Sequence, residues 1–229
     1  MVKTIHIAPE VRAIFPEFRV FGIEVEELDR VDTTSLIGAF EVGLRRVLAT
    51  VDIATIAQHG RIAIWRDAYR KMGLQASEFR SSIEQLLRRA ARGGLPQTGI
   101  WIVDLYNAAS LSHLTPIGGY DAAKVGRREI RVRPLRASDN FDGPSGGGGF
   151  RPPLRPGIFG YAVGQDIMCW ALNCRDATQT MLGPNSRAAV FLSEAIDSTG
   201  AIASRLAIEE LGERLAMAGA KVSPSMVQV

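Results

Sequence analysis

Hydrophobic and polar residues alternate in the first 30 positions of the chain. The alternation runs over residues 3–7 and again over 19–28, a pattern typical of half-buried strands. Between these two stretches, Pro9 and Glu10 open a helical turn that should end at Pro16. Residues 1–30 are therefore predicted to form strand, turn and strand.

From residue 33 to residue 115 the apolar positions recur three and four residues apart, the spacing of an amphipathic helix. Asp32 or Thr33 can cap the first of these helices. Further helices are predicted at 62–71, at 82–92 and at 100–114, where Thr115 and Pro116 should end the last one. The segment 33–115 is predicted to be mainly helical.

Strand patterns return between residues 128 and 196. Residues 128–136 alternate apolar side chains with arginines, and 157–163, 166–172 and 188–196 are apolar runs that predict buried strands. Residues 198–218 then carry an apolar face at helical spacing. The predicted fold class is α+β, with residues 1–229 forming one domain in which a mainly antiparallel sheet packs against several helices.

Residues 143–149, GPSGGGG, have too few side chains to pack, and they predict a mobile loop. Two interpretations of this loop stay open, a plain flexible insertion and a lid over a site.

The composition excludes few classes of function, but it narrows the class of protein and the cellular compartment. A chain of 229 residues with 46% hydrophobic and 22% charged residues is ordinary for a globular protein with a real core. A net charge of +3 leaves a nucleic-acid partner open without arguing for one. The first residues resemble no signal sequence, and no apolar segment approaches the roughly 20 residues that span a bilayer. We expect a cytoplasmic protein without a membrane partner.

The cysteines and histidines do not form a metal-binding pattern. Cys169 and Cys174 stand alone as a pair, and the three histidines are scattered. Both thiols are expected to be reduced and buried as small hydrophobic groups. We predict neither a metal nor another cofactor.

Two clusters of polar residues stand next to apolar runs. Asn107, Ser110 and His113 recur at helical spacing just before Gly118-Gly119, a predicted turn whose backbone freedom allows a tight approach before a strand or a turn at Tyr120-Asp121. This helix edge can line a small-molecule pocket over the turn, or it can simply face solvent. Asn173 and Arg175 follow a predicted buried strand, at the kind of position where binding groups often lie.

Five arginines flank the glycine-rich loop and form the densest basic region. Guanidinium groups match phosphate geometry, so the region is a candidate for contacts with RNA phosphates. The alternative is a solvated strand face whose charge prevents association of strand edges. The residues are Arg131, Arg133, Arg136, Arg151 and Arg155.

Several segments, taken in order, resemble one known family. They are WRDAYRKMG, RSSIEQLLRR, IVDLYNAASL, TPIGGYD and CWALNCRDATQT. Their sequence is similar to the tRNA-binding B3/B4 domain of the bacterial phenylalanyl-tRNA synthetase beta subunit, and more closely to free-standing proteins that consist of this domain. The resemblance covers 62–196 well and the first 60 residues loosely.

The resemblance implies an α+β module whose pocket holds a misactivated amino acid at the 3′ end of a tRNA. In the synthetase the module hydrolyses the ester when tyrosine has replaced phenylalanine. Asn107 matches the asparagine of the family's VD-x-x-N motif, Tyr106 lies where threonine is common, and Asp121 matches the aspartate that closes the turn. Gly118 replaces a family histidine, and a family glutamate aligns with Ser193, beside Glu194.

The chemistry of ester hydrolysis assigns provisional roles to these residues. Backbone N–H groups of Gly118 and Gly119 can donate to the developing oxyanion, and Glu194 or His113 can accept a proton from water. The candidate substrate-binding residues are Tyr106, Asn107, Ser110, Asn173 and Arg175.

Three functions follow, and the sequence does not decide whether the chain is an enzyme. The first is hydrolysis of mischarged aminoacyl-tRNA in trans. The second is non-catalytic binding of an amino acid or tRNA, and the third is reuse of the pocket for a free amino acid or a related metabolite in a biosynthetic pathway. Gly118 in place of histidine favours the second and third, whereas Asn107, the glycine pair and the basic region support the first. The oligomeric state is not indicated.

Overall fold

The structure is a computed structural model that describes residues 4–93, 97–126, 128–143, 152–223 and 227–228. Its strands form two sheets. The first sheet has the spatial order β10 (Val227–Gln228), β1 (Thr4–Ile7), β4 (Ile130–Pro134), β5 (Phe159–Val163), β6 (Asp166–Trp170) and β7 (Arg175–Asp176). The second has the order β3 (Gly118–Asp121), β8 (Ala189–Ala195), β2 (Arg19–Glu26) and β9 (Lys221–Val222). Neighbouring strands are antiparallel, except that β1 runs parallel to β4 and β10.

The helices surround these sheets. They are α1 (Pro9–Ile14), α2 (Glu41–Thr50), α3 (Gly60–Lys71), α4 (Ser82–Ala90), α5 (Trp101–His113), α6 (Ala122–Val125) and α7 (Ser198–Met217), with single 3₁₀ turns at Leu28–Arg30, Thr33–Leu36, Ile56–Gln58 and Thr178–Thr180. Side chains cap three of the longer helices, because His59, Ser81 and Asp197 each accept a hydrogen bond from a backbone N–H in the first turn of α3, α4 and α7.

The predicted α+β class is confirmed, and one predicted helix is corrected. Asp32 does act as a cap, but of the 3₁₀ turn Thr33–Leu36. The chain then passes through Gly38 at φ +72° before α2 begins at Glu41. A left-handed residue cannot continue a right-handed helix, so the predicted single helix is divided in two.

Three further predictions concern turns and loops. The glycine pair Gly118-Gly119 does not form a turn but begins strand β3, so of the two alternatives at Tyr120-Asp121 the strand is confirmed. The short helix α6 was not predicted. The glycine-rich loop lies outside the described residues from position 144 onward, so its interpretation as a lid stays a prediction.

The second sheet separates two hydrophobic cores. Val190 and Leu192 of β8 face the core that contains the first sheet with α3 and α4. Phe191 and Ala189 face the other core, which contains α5 and α7. Because side chains alternate along a strand, Glu194 lies on the same face as Leu192, in the space between the two sheets.

A buried ion cluster joins α3 to α4. Glu84 is fully buried and accepts hydrogen bonds from Arg66 Nε at 2.9 Å and Nη2 at 2.6 Å. Arg88 Nε donates to the same carboxylate at 2.9 Å. Several charge-assisted bonds are needed to offset the desolvation of a buried carboxylate, and here they hold the two helices in one arrangement.

Gly119→Ala is expected to lower the free energy of unfolding by about 1–3 kcal/mol, because the added Cβ overfills a packed core. It would lie 2.6 Å from Tyr106 Cε1 and 2.9 Å from Leu182 Cδ1. Gly60→Ala is the matched control, since nothing lies within 4 Å of a Cβ at that position. Urea unfolding of both variants tests the packing, and equal stability of the two would contradict it.

Candidate functional site

Three side chains of the first sheet form a row across neighbouring strands. Tyr161 of β5 lies opposite Cys169 of β6, and Cys169 lies opposite Asp176 of β7. Residues directly opposite each other on antiparallel strands share one face of the sheet. Both cysteines are buried and free of a disulfide, as predicted. The row therefore presents a phenol, a thiol and a carboxyl on one face.

The second sheet contacts both ends of this row. The Tyr161 hydroxyl donates to Glu194 Oε2 at 3.0 Å, and the Tyr120 hydroxyl of β3 donates to Asp176 Oδ1 at 3.1 Å. Glu194, Tyr161 and Tyr120 are each at most 3% exposed. These hydrogen bonds define a polar cluster between the two sheets, which we name the inter-sheet site.

Asn173 extends the inter-sheet site toward α3. Its Oδ1 accepts a hydrogen bond from the Tyr69 hydroxyl at 2.9 Å. Asn173 Nδ2 and Glu194 Oε1 have no hydrogen-bond partner among the described residues, although both atoms are buried. An unpaired buried polar atom costs about 1–3 kcal/mol, so each of these two atoms is expected to gain a partner such as water or a bound group.

The loop that carries Asn173 has a strained backbone. Ala171 and Leu172 have φ values of +51° and +62°. Left-handed conformations cost L-residues about 1–2 kcal/mol each. Two hydrogen bonds hold the loop, from Leu172 N to Phe159 O at 3.0 Å and from Ser82 N to Asn173 O at 2.9 Å. Strain of this kind concentrates at functional sites, which supports the assignment of Asn173 to a site.

Burial raises the pKa of Glu194 to about 7, and the nearby Asp176 carboxyl adds to the rise. The amide of Asn173 and the hydroxyl of Tyr161 lower the pKa of Glu194. Asn173 lies close enough to lower the pKa although its Nδ2 does not complete a hydrogen bond. Burial also raises the pKa of Asp176, and the hydrogen bonds from Cys169 and Tyr120 lower it by a smaller amount. Glu194 is thus poised to exchange a proton near neutral pH.

Glu194→Gln is expected to stabilise the protein at pH 8 more than at pH 5. The folded protein holds the Glu194 proton to a pKa of about 7, against 4.5 for an ordinary glutamate. Its free energy of unfolding therefore falls as pH rises through this window, by up to about 3 kcal/mol, and glutamine removes that loss. Urea unfolding at both pH values measures the difference. A stability difference that does not change with pH would rule out a buried, titrating Glu194.

Gly118 belongs to the inter-sheet site for a steric reason. It lies opposite Leu192 of β8, so it faces the same side as Tyr120 and Glu194. A Cβ at Gly118 would lie 2.6 Å from the Tyr120 hydroxyl oxygen. The missing side chain therefore makes room for the Tyr120 phenol, which leans over Gly118 to reach Asp176. Gly119 faces the opposite side.

Three predicted residues of α5 are engaged elsewhere. Tyr106 packs against Phe191 at 5.8 Å between ring centroids, in the core on the far face of the second sheet. The buried Ser110 hydroxyl donates to Thr115 O at 2.5 Å. His113 Nε2 lies 2.7 Å from Glu210 Oε2 of α7. The structure therefore does not bring Tyr106, Ser110 and His113 together with Glu194, which corrects the predicted grouping.

The remaining predicted residues, Asn107, Asp121 and Arg175, likewise differ in where their side chains lie. Asn107 is half-buried, and its side chain forms no hydrogen bond within the described part of the chain. Asp121 caps α6 and also accepts a hydrogen bond from the Ser186 hydroxyl at 2.6 Å. Arg175 is exposed on β7, on the opposite face from its neighbour Asp176. Arg175 is thus directed away from the inter-sheet site.

Sequence reasoning missed four members of the site, namely Tyr69, Tyr120, Tyr161 and Asp176. Three of them stand inside segments that carried the family resemblance, Tyr69 in WRDAYRKMG, Tyr120 in TPIGGYD and Asp176 in CWALNCRDATQT. A polar residue within a buried strand was the available signal. The register between strands, which pairs Tyr161 with Cys169 and Cys169 with Asp176, could not be obtained from the sequence.

The basic region contains both exposed and buried arginines. Arg131 and Arg136 are exposed and line a cleft of about 790 Å³ beside β1 and α1. Arg155 is exposed as well, with Nη2 3.4 Å from Gly73 O. Arg151 lies outside the described residues.

Arg133 was wrongly grouped with these surface arginines. It is 6% exposed and forms a two-pronged ion pair with Asp139, at 2.8 and 2.7 Å. It also donates to the carbonyl oxygens of Pro134 and Gly164. The chain after β4 folds back and places Asp139 against it, so its guanidinium has a structural role.

The comparisons with known proteins agree with this architecture. The B3/4 domain family matches residues 64–211, and the chain belongs to this family. The chain is also similar to a solved N-terminal fragment of the phenylalanyl-tRNA synthetase beta-subunit from Pyrococcus horikoshii, with a TM-score of 0.54 and 12% identity. That match covers 100% of this chain and 54% of the fragment, so the chain spans about half of its relative. No curated protein matches the chain.

Within the described ranges, none of the helices combines the length and the hydrophobicity of a membrane-spanning segment. No group of three or more His, Cys, Asp or Glu side chains is arranged there to hold a metal ion.

Proposed function

We propose that the protein binds the aminoacyl end of a mischarged tRNA at the inter-sheet site and hydrolyses its ester in trans. The observation that carries this proposal is Glu194, a carboxyl group buried between two sheets with one oxygen unpaired and a pKa of about 7. A general base works best when its pKa lies near the working pH. Glu194 meets that requirement at neutral pH.

The reaction assigns one role to each group. Glu194 accepts a proton from water while the water oxygen bonds to the ester carbonyl carbon. The ester C–O bond then breaks and the tRNA 3′ end leaves as a hydroxyl group, taking up the proton. Of the Gly118-Gly119 pair, the backbone N–H that points away from β8 is proposed to stabilise the oxyanion, since β3 is an edge strand and successive N–H groups of a strand point to opposite sides. Asn107 and Asn173 are proposed to hold the aminoacyl group.

The tRNA part of the proposal rests on the family and on the exposed arginines. The solved relative is a fragment of a tRNA synthetase subunit. Arg131, Arg136 and Arg155 are proposed to contact RNA phosphates, and Arg151 remains in the proposal from the sequence alone. Arg133 is removed from it because its guanidinium is paired with Asp139.

A single-turnover assay tests the proposed reaction. The protein, in excess, is mixed with a panel of correctly and incorrectly charged tRNAs, and loss of the labelled amino acid is followed against buffer. We expect at least one mischarged tRNA to lose its amino acid faster with the wild type than with Asn107→Ala. If every tRNA decays at the buffer rate, the chain is not an aminoacyl-tRNA hydrolase.

Binding of tRNA is expected to weaken steeply with salt, because each neutralised phosphate releases counterions. Arg131→Ala and Arg136→Ala should each reduce the slope of log affinity against log salt by about 1. Arg205→Ala on α7 is the matched control, since Arg205 is exposed and pairs only with Glu209 among the described residues. Filter binding at several salt concentrations measures the slopes. Identical slopes for all three variants would remove the basic cleft from the proposal.

A second candidate is enclosure of a free amino acid or a related metabolite without ester hydrolysis. The observation in its favour is that Glu194 and Asn173 are only 3% and 7% exposed, which suits a small ligand surrounded on all sides. A melting-temperature screen with free amino acids separates the candidates. A ligand shift without any deacylation would favour this function.

A further inference from the structure

The positive charge of the chain is concentrated in helices α3 and α4 and in the loop between them. Residues 60–92 contain eight Lys and Arg against three Asp and Glu, an excess of five, whereas the whole chain has an excess of three. The cleft beside Arg131 and Arg136 is lined by other parts of the chain. Affinity for phosphate depends on where basic groups cluster, so α3 and α4 form a second candidate surface for an anion.

Three guanidinium groups of this surface converge on one carboxylate oxygen. Arg66 Nη2 lies 2.6 Å, Arg88 Nε 2.9 Å and Arg80 Nε 3.7 Å from Glu84 Oε1. Within the described ranges these three arginines form ion pairs with Glu84 alone. One carboxylate balances only one of the three positive charges. The group, which we name the Glu84 cluster, therefore keeps an excess of two positive charges.

Most hydrogen-bond donors of the Glu84 cluster have no partner among the described residues. Each guanidinium carries five N–H donors. Glu84 accepts two hydrogen bonds from Arg66 and one from Arg88. Arg80 Nε is buried and unpaired. The side chains of Arg80 and Arg88 are 42% and 23% exposed, so an anion in solvent can reach their remaining N–H groups.

The chemistry of the Glu84 cluster fits a phosphate group. The forked donors of a guanidinium match the spacing of phosphate oxygens, and two excess positive charges favour an anion. Glu84 is fully buried and holds the side chains of Arg66 and Arg88 in place before any ligand arrives. Donors that are already oriented lose less entropy on binding.

The Glu84 cluster lies next to the loop that carries Asn173. Ser82 N donates to Asn173 O at 2.9 Å, two residues before Glu84 on α4. On α3, Arg66 is one helical turn before Tyr69, whose hydroxyl donates to Asn173 Oδ1 at 2.9 Å. A ligand bound at Asn173 therefore has the three arginines as close neighbours.

We propose that Arg66, Arg80 and Arg88 bind the phosphate group that links the last two nucleotides of a tRNA. The inference rests on the proposed function, which places the aminoacyl end of the tRNA beside Asn173. In a charged tRNA the amino acid is esterified to the terminal ribose, and this phosphate is attached to the same ribose. It is thus the phosphate nearest to the ester. The three arginines are positioning residues, because holding this phosphate fixes the direction in which the RNA leaves the site.

Fluorescence anisotropy with an uncharged synthetic RNA hairpin tests this inference. The hairpin ends in a single-stranded 3′ ACCA segment, and a second form has a neutral methylphosphonate at its last linkage. We expect the wild type to bind the ordinary hairpin about tenfold more tightly, the effect of one charge-assisted contact. A third form with the neutral linkage in the hairpin loop, far from the 3′ end, is the control, and its affinity should change by less than about twofold.

Variants assign the effect to the Glu84 cluster. Arg80→Ala and Arg88→Ala should each reduce the advantage of the ordinary hairpin to about twofold or less, whereas Arg205→Ala, an exposed arginine on α7, should retain it. Arg80 donates no hydrogen bond to Glu84, so Arg80→Ala is expected to fold, and melting temperatures verify this. Equal binding of the ordinary and last-linkage hairpins by the wild type, or a tenfold advantage retained by both variants, overturns the inference.

Adenosine 5′-monophosphate distinguishes RNA from a free phosphate ligand. Displacement of the hairpin by this nucleotide, together with equal binding of the ordinary and last-linkage hairpins, would assign the Glu84 cluster to a free phosphate monoester and overturn the RNA contact.

Failure of this inference can be told apart from failure of the proposed function, because the hairpins carry no ester. Deacylation of tRNA without a preference for the charged last linkage would retain the hydrolase and discard the phosphate contact. A preference that depends on Arg80 and Arg88, without deacylation, would retain the phosphate contact and discard the hydrolase.

Discussion

Glu194→Gln is expected to slow ester hydrolysis by about 100-fold or more, the usual loss when a general base is removed. Glutamine has nearly the same shape and can still accept the hydrogen bond from Tyr161, so the site keeps its packing. It cannot take a proton from water. Single-turnover rates on the most sensitive mischarged tRNA measure the effect, with tRNA affinity determined separately.

Glu209→Gln is the matched control for this experiment, because Glu209 is exposed on α7. The wild-type rate above buffer should also rise with pH up to about 7 and then level off, as the Glu194 carboxyl becomes ionised. A Glu194→Gln variant that is folded and fully active would remove Glu194 from the reaction.

Arg133→Ala is expected to lower the free energy of unfolding by about 3–5 kcal/mol, because it leaves the Asp139 carboxylate buried without a cation. Asp139 is only 6% exposed and receives two hydrogen bonds from Arg133. Arg131→Ala removes the same charge from the same strand, but Arg131 and its partner Glu129 are both exposed, and an exposed ion pair contributes little to stability. Urea unfolding of the two variants makes the comparison.

The two arginine variants should also differ in tRNA binding. Arg131→Ala should weaken binding with little loss of stability, whereas Arg133→Ala should weaken it only where the protein is partly unfolded. Equal stability of both variants would mean that Arg133 is a surface residue, as its position in the alternating strand first suggested.

Helices and strands whose apolar residues recur at a regular spacing could be predicted from the sequence. The helices α4 and α7 and the strand β8 were placed within two residues of their bounds. In α4, for example, Ile83, Leu86 and Leu87 are all buried, as their spacing requires. Local spacing determines such elements because one face of each is buried along its whole length.

The glycine pair shows what local spacing cannot determine. Glycine serves either a left-handed turn or a close approach, and the two uses look alike in a sequence. Gly118 and Gly119 serve the second use, since the phenols of Tyr120 and Tyr106 lie where their Cβ atoms would be. The sequence therefore leaves a strand and a turn both open at Tyr120-Asp121.

The prediction that Asn107, Ser110 and His113 share one edge of α5 is wrong for a geometric reason. Consecutive residues of a helix are about 100° apart, so His113 is turned about 120° from Asn107. The helix directs His113 to Glu210 of α7. Spacing of three residues, repeated twice, thus does not keep three side chains on one face.

The candidate site could be predicted only in part. Glu194 and Asn173 were identified, the first through the family resemblance and the second from its place at a strand end. Their partners Tyr161 and Asp176 depend on strand register, and Tyr120 depends on the room that Gly118 leaves. These contacts join residues distant in the chain, and the sequence does not specify such pairings.

The most direct test of the account is a crystal structure with a non-hydrolysable ligand, 3′-deoxy-3′-(L-phenylalanylamino)adenosine, in which an amide replaces the ester. The account predicts that the aminoacyl group lies between the two sheets, with Glu194 Oε1 and Asn173 Nδ2 within hydrogen-bond distance of it. An aminoacyl group seated instead in the cleft beside Arg131 and Arg136, with the inter-sheet site unchanged, would contradict it.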